Sequence, residues 1–578
     1  MKQHGASSTD IRRSRADTAF FLAVALSVLL IAWLDVRGAT GDSIAYFDLS
    51  DALRLHRWHA CFNASWFPLY PLLLTLARAC TGFRPQYDEA AARAVNGLLG
   101  IAFLFIAQRL ALAVRDFAVC AAFDPSRLPS QRSLSLFAVV FAFFFWSIDM
   151  NGVKPDTLLA CLLLLAVTFL LQGLATGRWS AFLLCGAMAG LAYWTKAFAF
   201  PFVCLLLLFC GGTQWRSRRR FGQITLVAVV FFVVIAPYIG TLSRDKHRFT
   251  IGDSGRLNSA WYVNGAERFN PVADRSVDDL GKAEGHFLHP SELLSTTPEI
   301  AFYPRGRVFG TFPAWDDFSY WSGGLKPRFS PAQTLHNSFF NAELLLSLTV
   351  MRIEAVLFLA VFLFFGYRFS RQALHPLLIG LMASAAAAIA LYVAVHLEGR
   401  YVVFAFVLLG VTLAATLRRG PLTAEDPALA TCLLLLGWLL LLVTVQASAH
   451  NFKSTANGDD PLHARFEVRD VAAGEAIAAA LGPHASLACL GLHACYSDAL
   501  WARYADGTID AVVTLPHRME NASESEVCAT LMQHPESLSA LRAQGVQAVV
   551  ADFSGQWPCS AAWTLLPGPG RYAMLRLQ

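Results

Sequence analysis

Long apolar runs recur along this chain, and they dictate what it can fold into. Stretches near the 17–25 residues that a bilayer helix needs lie at 18–37, 92–112, 133–150, 157–175, 180–197, 199–212, 222–241, 345–366, 375–396, 401–417 and 428–447. Only 15% of the 578 residues are charged, against about 25% in a soluble domain. The expected fold is an α-helical polytopic membrane protein with about eleven transmembrane helices. The run 199–212 is short, and with 180–197 it could form one long helix kinked at Pro201. The first run follows Arg12, Arg13 and Arg15. No small-residue cleavage site follows it cleanly, so it reads as an uncleaved span rather than a signal peptide.

The placement of arginine orients these spans. With the N-terminus cytoplasmic, one set of short loops holds Arg115, Arg127, Arg132, Arg178, Arg216, Arg218, Arg219, Arg220, Arg368, Arg371, Arg418 and Arg419. The opposite short loops hold Lys154, Lys196 and Arg400. Eleven spans fit the positive-inside rule and ten break it, so the C-terminus is expected outside. The chain then divides into a cytoplasmic tail 1–17, a membrane domain 18–447 with outer loops 38–91 and 242–344, and an extracytoplasmic segment 448–578. In that last segment, short β-branched runs (486–491, 509–515, 548–552, 572–577) alternate with helix-like stretches (467–480, 535–545), the pattern of a small α/β domain. Cys489, Cys495, Cys528 and Cys559 fall there and could pair in an oxidising compartment; their connectivity stays open. No CxxC or Cys/His spacing suggests a metal site, and nothing suggests nucleic acid.

A pump or carrier usually places charge at mid-membrane. Here the span interiors are Leu, Ala, Phe and Val, and the polar residues gather at the outer ends. That pattern favours chemistry at the outer surface over transport through the bilayer. The segment after the first span, Gly41-Asp-Ser-Ile-Ala-Tyr-Phe-Asp48, places Asp42 and Tyr46 on one helical face and Asp48 on another. Residues 43–58 read as an amphipathic helix lying on the membrane surface. Asp42 suits a helix N-cap, a role compatible with acid–base work. Trp66-Phe-Pro-Leu-Tyr70-Pro-Leu-Leu-Leu reads as a membrane re-entry element. Asp156, after Asn151-Gly-Val-Lys154-Pro, is either a cap or an acid approaching a site. Lys196 could snorkel to headgroups or contact a phosphate. Arg400 is an interfacial anchor or a bidentate phosphate ligand.

In combination these motifs resemble the GT-C superfamily of membrane glycosyltransferases, in particular the bacterial branch akin to lipid A aminoarabinose transferase and the protein O-mannosyltransferases (family 39-like). The resemblance places Asp42 at the family's catalytic aspartate. Many members carry a second acid beside it, where this chain has Ser43. Asn151–Asp156 looks like the family's second loop. Leu191-Ala-Tyr-Trp-Thr-Lys196 resembles an outer helix end, and His396-Leu-Glu-Gly-Arg400-Tyr401 resembles the element that opens a late span. The implied donor is a sugar on a polyprenyl phosphate, and the acceptor is a hydroxyl on a lipid, glycan or protein at the outer face of a bacterial inner membrane. Asp42 and Asp156 are then the expected catalytic acids. Lys154, Lys196 and Arg400 face the phosphate, and Tyr46, Asp48, Trp66, Tyr70 and Tyr401 contact substrate. No cofactor or metal is expected. Two other readings stay open: a transporter or flippase of lipid-linked sugars, and a non-enzymatic envelope assembly protein.

Overall fold

The computed structural model describes residues 8–34, 41–121, 123–150, 152–214, 216–266, 288–304, 310–350, 353–369, 375–419, 427–457, 466–491, 495, 499–515, 523–553, 559–567 and 572–577. Asn151 lies outside them. Among these residues, eight helices are long and apolar enough to cross a membrane: Arg15–Leu34, Pro85–Cys120, Gln131–Ile148, Asp156–Thr176, Arg218–Asp245, Pro376–Val395, Gly399–Thr416 and Pro427–Lys453. Three shorter apolar helices, Trp179–Tyr193, Ala199–Gly212 and Ile353–Phe364, fall on the remaining expected spans.

The runs 180–197 and 199–212 are therefore two helices and not one kinked helix. The first ends in a turn in which the backbone N–H groups of Thr195 and Lys196 both donate to Ala192, and the N–H of Ala199 donates to Lys196. Pro201 sits in the first turn of the second helix, where its missing N–H costs nothing. This turn leaves Lys196 between two helix ends.

The helix Gly41–Arg54 also departs from expectation. Ten of its fourteen residues are buried, Asp48 and Ser50 among them. It is packed among other elements rather than laid on a surface with its polar face in water. The amphipathic pattern identified two environments for this helix, but its second one is a set of buried ion pairs.

Among the described residues, the sheet has seven strands: β1 Glu292–Thr296, β2 Glu299–Phe302, β3 Ser486–Leu490, β4 Thr508–Thr514, β5 Ala548–Asp552, β6 Thr564–Leu565 and β7 Tyr572–Arg576. Their order is β1-β2-β4-β3-β5-β7-β6. The central trio β4, β3 and β5 is parallel. Every residue of β3 and β5 is buried, which suits the continuous apolar runs of a sheet covered on both faces. Strands β1 and β2 come from the second outer loop, and β2 joins the tail's sheet antiparallel, with Ile300 opposite Val513. The loop and the tail thus share one sheet. Disulfides join Cys489 to Cys495 and Cys528 to Cys559.

Close approach within the helical layer rests on small residues. A Cβ on Gly100 would lie 2.6 Å from Cε2 of the fully buried Trp146. Overpacking of this kind costs about 1–3 kcal/mol. Gly100→Ala is expected to destabilise the detergent-solubilised protein by about that amount, read as a lower thermal midpoint; an unchanged midpoint would show that the two helices do not pack this tightly.

Candidate active site at the outer helix ends

Four helix termini meet at one end of the helical layer. Asp42 is in the first turn of Gly41–Arg54 and Asp156 in the first turn of Asp156–Thr176. Lys196 occupies the turn after Trp179–Tyr193, and Arg400 lies in the first turn of Gly399–Thr416. A helix N-terminus favours a carboxylate, which suits both acids. Together they border a cavity of about 100 Å³ whose other lining residues include Tyr46, Trp66, Lys154 and Tyr401.

The charges are paired across the cavity. Lys196 Nζ donates to Asp156 Oδ1 at 2.8 Å. Arg400 Nε lies 2.7 Å from Glu398 Oε2 and 3.9 Å from Asp156 Oδ2, and its Nη2 lies 3.6 Å from Asp42 Oδ2. Lys196 Nζ also stands 4.0 Å from the Tyr401 ring centre, a favourable position for an ammonium over a ring face. Tyr401 donates its hydroxyl to Glu398 Oε1 at 2.8 Å. The two acids are held differently. The Asp156 side chain is 3% exposed and faces two cations. The Asp42 side chain is 28% exposed, with one long contact to Arg400 and a 3.3 Å hydrogen bond from Trp315 Nε1. Asp42 is the acid that remains open to a ligand.

Aromatic side chains also line the cavity. Trp66 donates its indole N–H to the Trp315 carbonyl at 3.1 Å and meets Phe318 edge-on at 5.2 Å. Tyr46 packs edge-on against Trp66 and Tyr70, both at 5.3 Å. Burial, reinforced by Asp42 and Asp156, holds the Tyr46 phenol well above its ordinary value. Tyr46 is therefore neutral and able to donate.

Two residues expected at the site lie behind it. Tyr70 is fully buried and donates to Asn96 Oδ1 at 3.1 Å; it supports Tyr46 and does not border the cavity. Asp48 does not border it either. It accepts from Arg503 Nη1, from the Thr311 backbone N–H at 2.7 Å and from the Thr311 hydroxyl at 2.9 Å. Its offset of six residues from Asp42 turns it to another side of the helix. Conversely, Glu398, His396, Trp315, Phe318 and Trp261 border the cavity and were not singled out from the sequence. Glu398 sat inside a motif that drew attention to Arg400. The aromatics come from a loop whose richness in Trp and Phe was visible but whose register was not.

Burial pushes the Glu398 carboxyl up, but His396, Arg400, Tyr401 and Lys196 outweigh it and hold that carboxyl well below the usual carboxylate range. A depressed folded-state value contributes stability above the unfolded value of about 4.3 and loses it as pH falls toward the folded one. Glu398→Gln should therefore be less stable than the native chain at pH 7. The gap should close as pH drops below about 4, measured as thermal midpoints of both proteins across pH 3–8. A gap that widens on acidification contradicts this assignment.

Residues 96–240 match the family model described as dolichyl-phosphate-mannose-protein mannosyltransferase. That segment contains Asp156 and Lys196, and leaves Asp42 and Arg400 outside. No curated protein matches the chain by sequence. Among solved structures, ArnT from Cupriavidus metallidurans in the apo state gives a TM-score of 0.53 at 14% identity, covering 98% of this chain and 98% of that one. ArnT bound to undecaprenyl phosphate gives 0.48 at 14% identity, over 97% of this chain and 98% of that one. The archaeal oligosaccharyltransferase AglB from Archaeoglobus fulgidus gives 0.44 at 12% identity, over 93% and 70%. The chain thus has the fold of apo ArnT along nearly its whole length, which is the architecture that the GT-C resemblance implies.

Proposed function

We propose that the protein moves a sugar from a polyprenyl-phosphate donor to an acceptor hydroxyl on a lipid, glycan or protein, at the outer face of a bacterial inner membrane. The observation that carries this reading is the gathering of Asp42, Arg400 and Lys196 around one cavity at the helix ends, with Arg400 3.6 Å from Asp42. The family model matched by residues 96–240 is described by a dolichyl-phosphate-mannose donor, which supports a lipid-phosphate sugar as donor here. The two disulfides within the tail support an oxidising compartment for that segment. With the arginine-rich loops on the cytoplasmic side, the tail is periplasmic and the N-terminus cytoplasmic.

The reaction needs a base, a stabiliser for the departing phosphate and a surface for the sugar. Asp42 is the base. The acceptor oxygen forms a bond to the anomeric carbon from one face and its proton passes to Asp42. The bond from that carbon to the phosphate oxygen breaks on the other face, the electron pair leaves with the phosphate, and the anomeric centre inverts. Arg400 and Lys196 stabilise the charge that develops on the phosphate, and Lys154 adds to it. Asp156 holds both cations in place. Trp66, Trp315 and Tyr46 offer apolar faces with polar edges to the sugar. A phosphate that engages Arg400 competes with Asp42 for the same guanidinium.

Asp42→Asn keeps the size and hydrogen bonding of the side chain and removes the base. Transfer should fall by about 10²–10⁴ while membrane insertion and thermal stability are retained. Mass spectrometry of envelope glycans and lipids from cells lacking the gene, and from cells complemented with either form, identifies the product and reads the loss. A product restored to the native level by Asp42→Asn would refute the base assignment.

A further inference from the structure

Arg503 lies far along the chain from the cavity, on the short helix Leu500–Tyr504 of the tail. Its guanidinium is spent entirely on the first outer loop and the helix that follows. Nη1 donates to Asp48, Nη2 to Asp51 Oδ2 at 2.6 Å and Nε to Asp88 Oδ2 at 2.7 Å. Arg78, which is fully buried, takes the remaining oxygens: Nη2 lies 2.9 Å from Asp51 Oδ1 and Nε 2.5 Å from Asp88 Oδ1. Arg78 Nη1 also donates to Ser50 Oγ at 2.8 Å and to the Phe47 carbonyl at 3.2 Å. Two arginines and two aspartates thus close a ring, with Asp48 attached to it.

Helix geometry connects this ring to the site. Asp51 follows Asp42 by nine residues, two and a half turns. The two acids therefore point to opposite sides of the helix Gly41–Arg54, one to the cavity and one to the ring. A second route runs through Asp48. It binds Thr311, whose carbonyl accepts from the Ile509 N–H of β4 at 2.8 Å. Four residues on, Trp315 donates its indole N–H to Asp42. Arg503 therefore bears on both elements that aim Asp42: directly on the helix that carries it, and through Asp48 on the segment that hydrogen-bonds it.

We infer that Arg503 is a positioning residue for the transfer reaction, and that the tail's docking through it sets the orientation of Asp42 in the cavity. The function part of this inference rests on the transferase reading above; the mechanical link does not. Lysine in its place keeps the charge but offers one nitrogen where three separate donors are needed, so it cannot hold Asp48, Asp51 and Asp88 together.

The test uses the full-length detergent-solubilised protein with Arg503→Lys, Arg503→Ala and a control, Cys528→Ser with Cys559→Ser, which weakens the tail away from the ring. Hydrogen exchange is followed in residues 41–54 and 310–318, and turnover is followed with a polyprenyl-phosphate donor carrying the sugar that the envelope comparison identifies in the product. Arg503→Lys is expected to speed exchange in both segments at least tenfold while the helix Asp156–Thr176 stays protected. It should lower kcat at least tenfold with the donor KM within twofold. The cysteine control should do neither. Native exchange in 41–54 for both Arg503 variants overturns the link, as does an equal loss of kcat in the cysteine control. Should Arg503→Ala fail to insert, Arg503→Lys alone decides. A native protein without transferase activity refutes the proposed function instead, and the exchange comparison still decides whether the tail orients the helix.

Discussion

Asp51 and Asp88 each divide their two oxygens between Arg78 and Arg503, and the half of the molecule that carries the cavity depends on that arrangement. A charge buried without a partner costs several kcal/mol, and removing one member of a buried pair strands the other. The ring avoids this cost only when four chain segments are in place together. These are the helix Gly41–Arg54, the helix Leu69–Ala79 with Arg78, the start of Asp88–Cys120, and the tail helix with Arg503. Burial pushes the Asp51 carboxyl up, but Arg503 and Arg78 outweigh it and hold the group below its ordinary value. At the margin the balance reverses. Burial and the neighbouring Asp48 hold Asp316 well above the ordinary carboxylate range. That shift favours the protonated form of Asp316 beside Asp48 over a further anion.

The membrane frame was legible because bilayer helices are dictated by composition and length, both of which are local. The runs 92–112 and 157–175 sit inside the helices Asp88–Cys120 and Asp156–Thr176. The strands of the tail were legible for the same reason: Ala548-Val-Val-Ala-Asp reads as a buried strand wherever it pairs. Strands β1 and β2 were not, since Glu292–Phe302 has little strand character of its own and acquires it from a partner more than two hundred residues later. The helix Gly41–Arg54 marks the same limit from another direction. Its period showed two faces, but water and a buried guanidinium both call for acids, and only the fold distinguishes them.

Among the site residues, Asp42, Asp156, Lys196 and Arg400 stood out because polar groups at the ends of bare apolar helices have few structural reasons to be there. The structure brings these four to one cavity. Asp48 looked equally promising as an acid in the same short segment, and it faces Arg503 instead. Glu398 is two residues before Arg400 and shares its guanidinium, yet in sequence it resembles any polar residue leading into a helix. Trp315 and Phe318 have no periodicity to mark them, and their place at the cavity follows from a loop path fixed by β2 and Thr311.

Two assemblies of Asp and Arg therefore share one fourteen-residue helix, and their chemistry differs only in saturation and exposure. In the ring, the Arg503 side chain is 5% exposed and that of Arg78 is 1%, and each of the three Arg503 nitrogens has an acid within hydrogen-bond range. Such a site has nothing left to offer a ligand. In the cavity, Arg400 holds Nε 2.7 Å from Glu398 without hydrogen-bonding it and holds Asp42 only through a 3.6 Å contact. A short charge-assisted bond resists exchange, whereas a long one yields readily to a competing anion. The same residue pair thus serves as scaffold on one side of the helix and as an exchangeable contact on the other. What separates them is how completely each arginine is used.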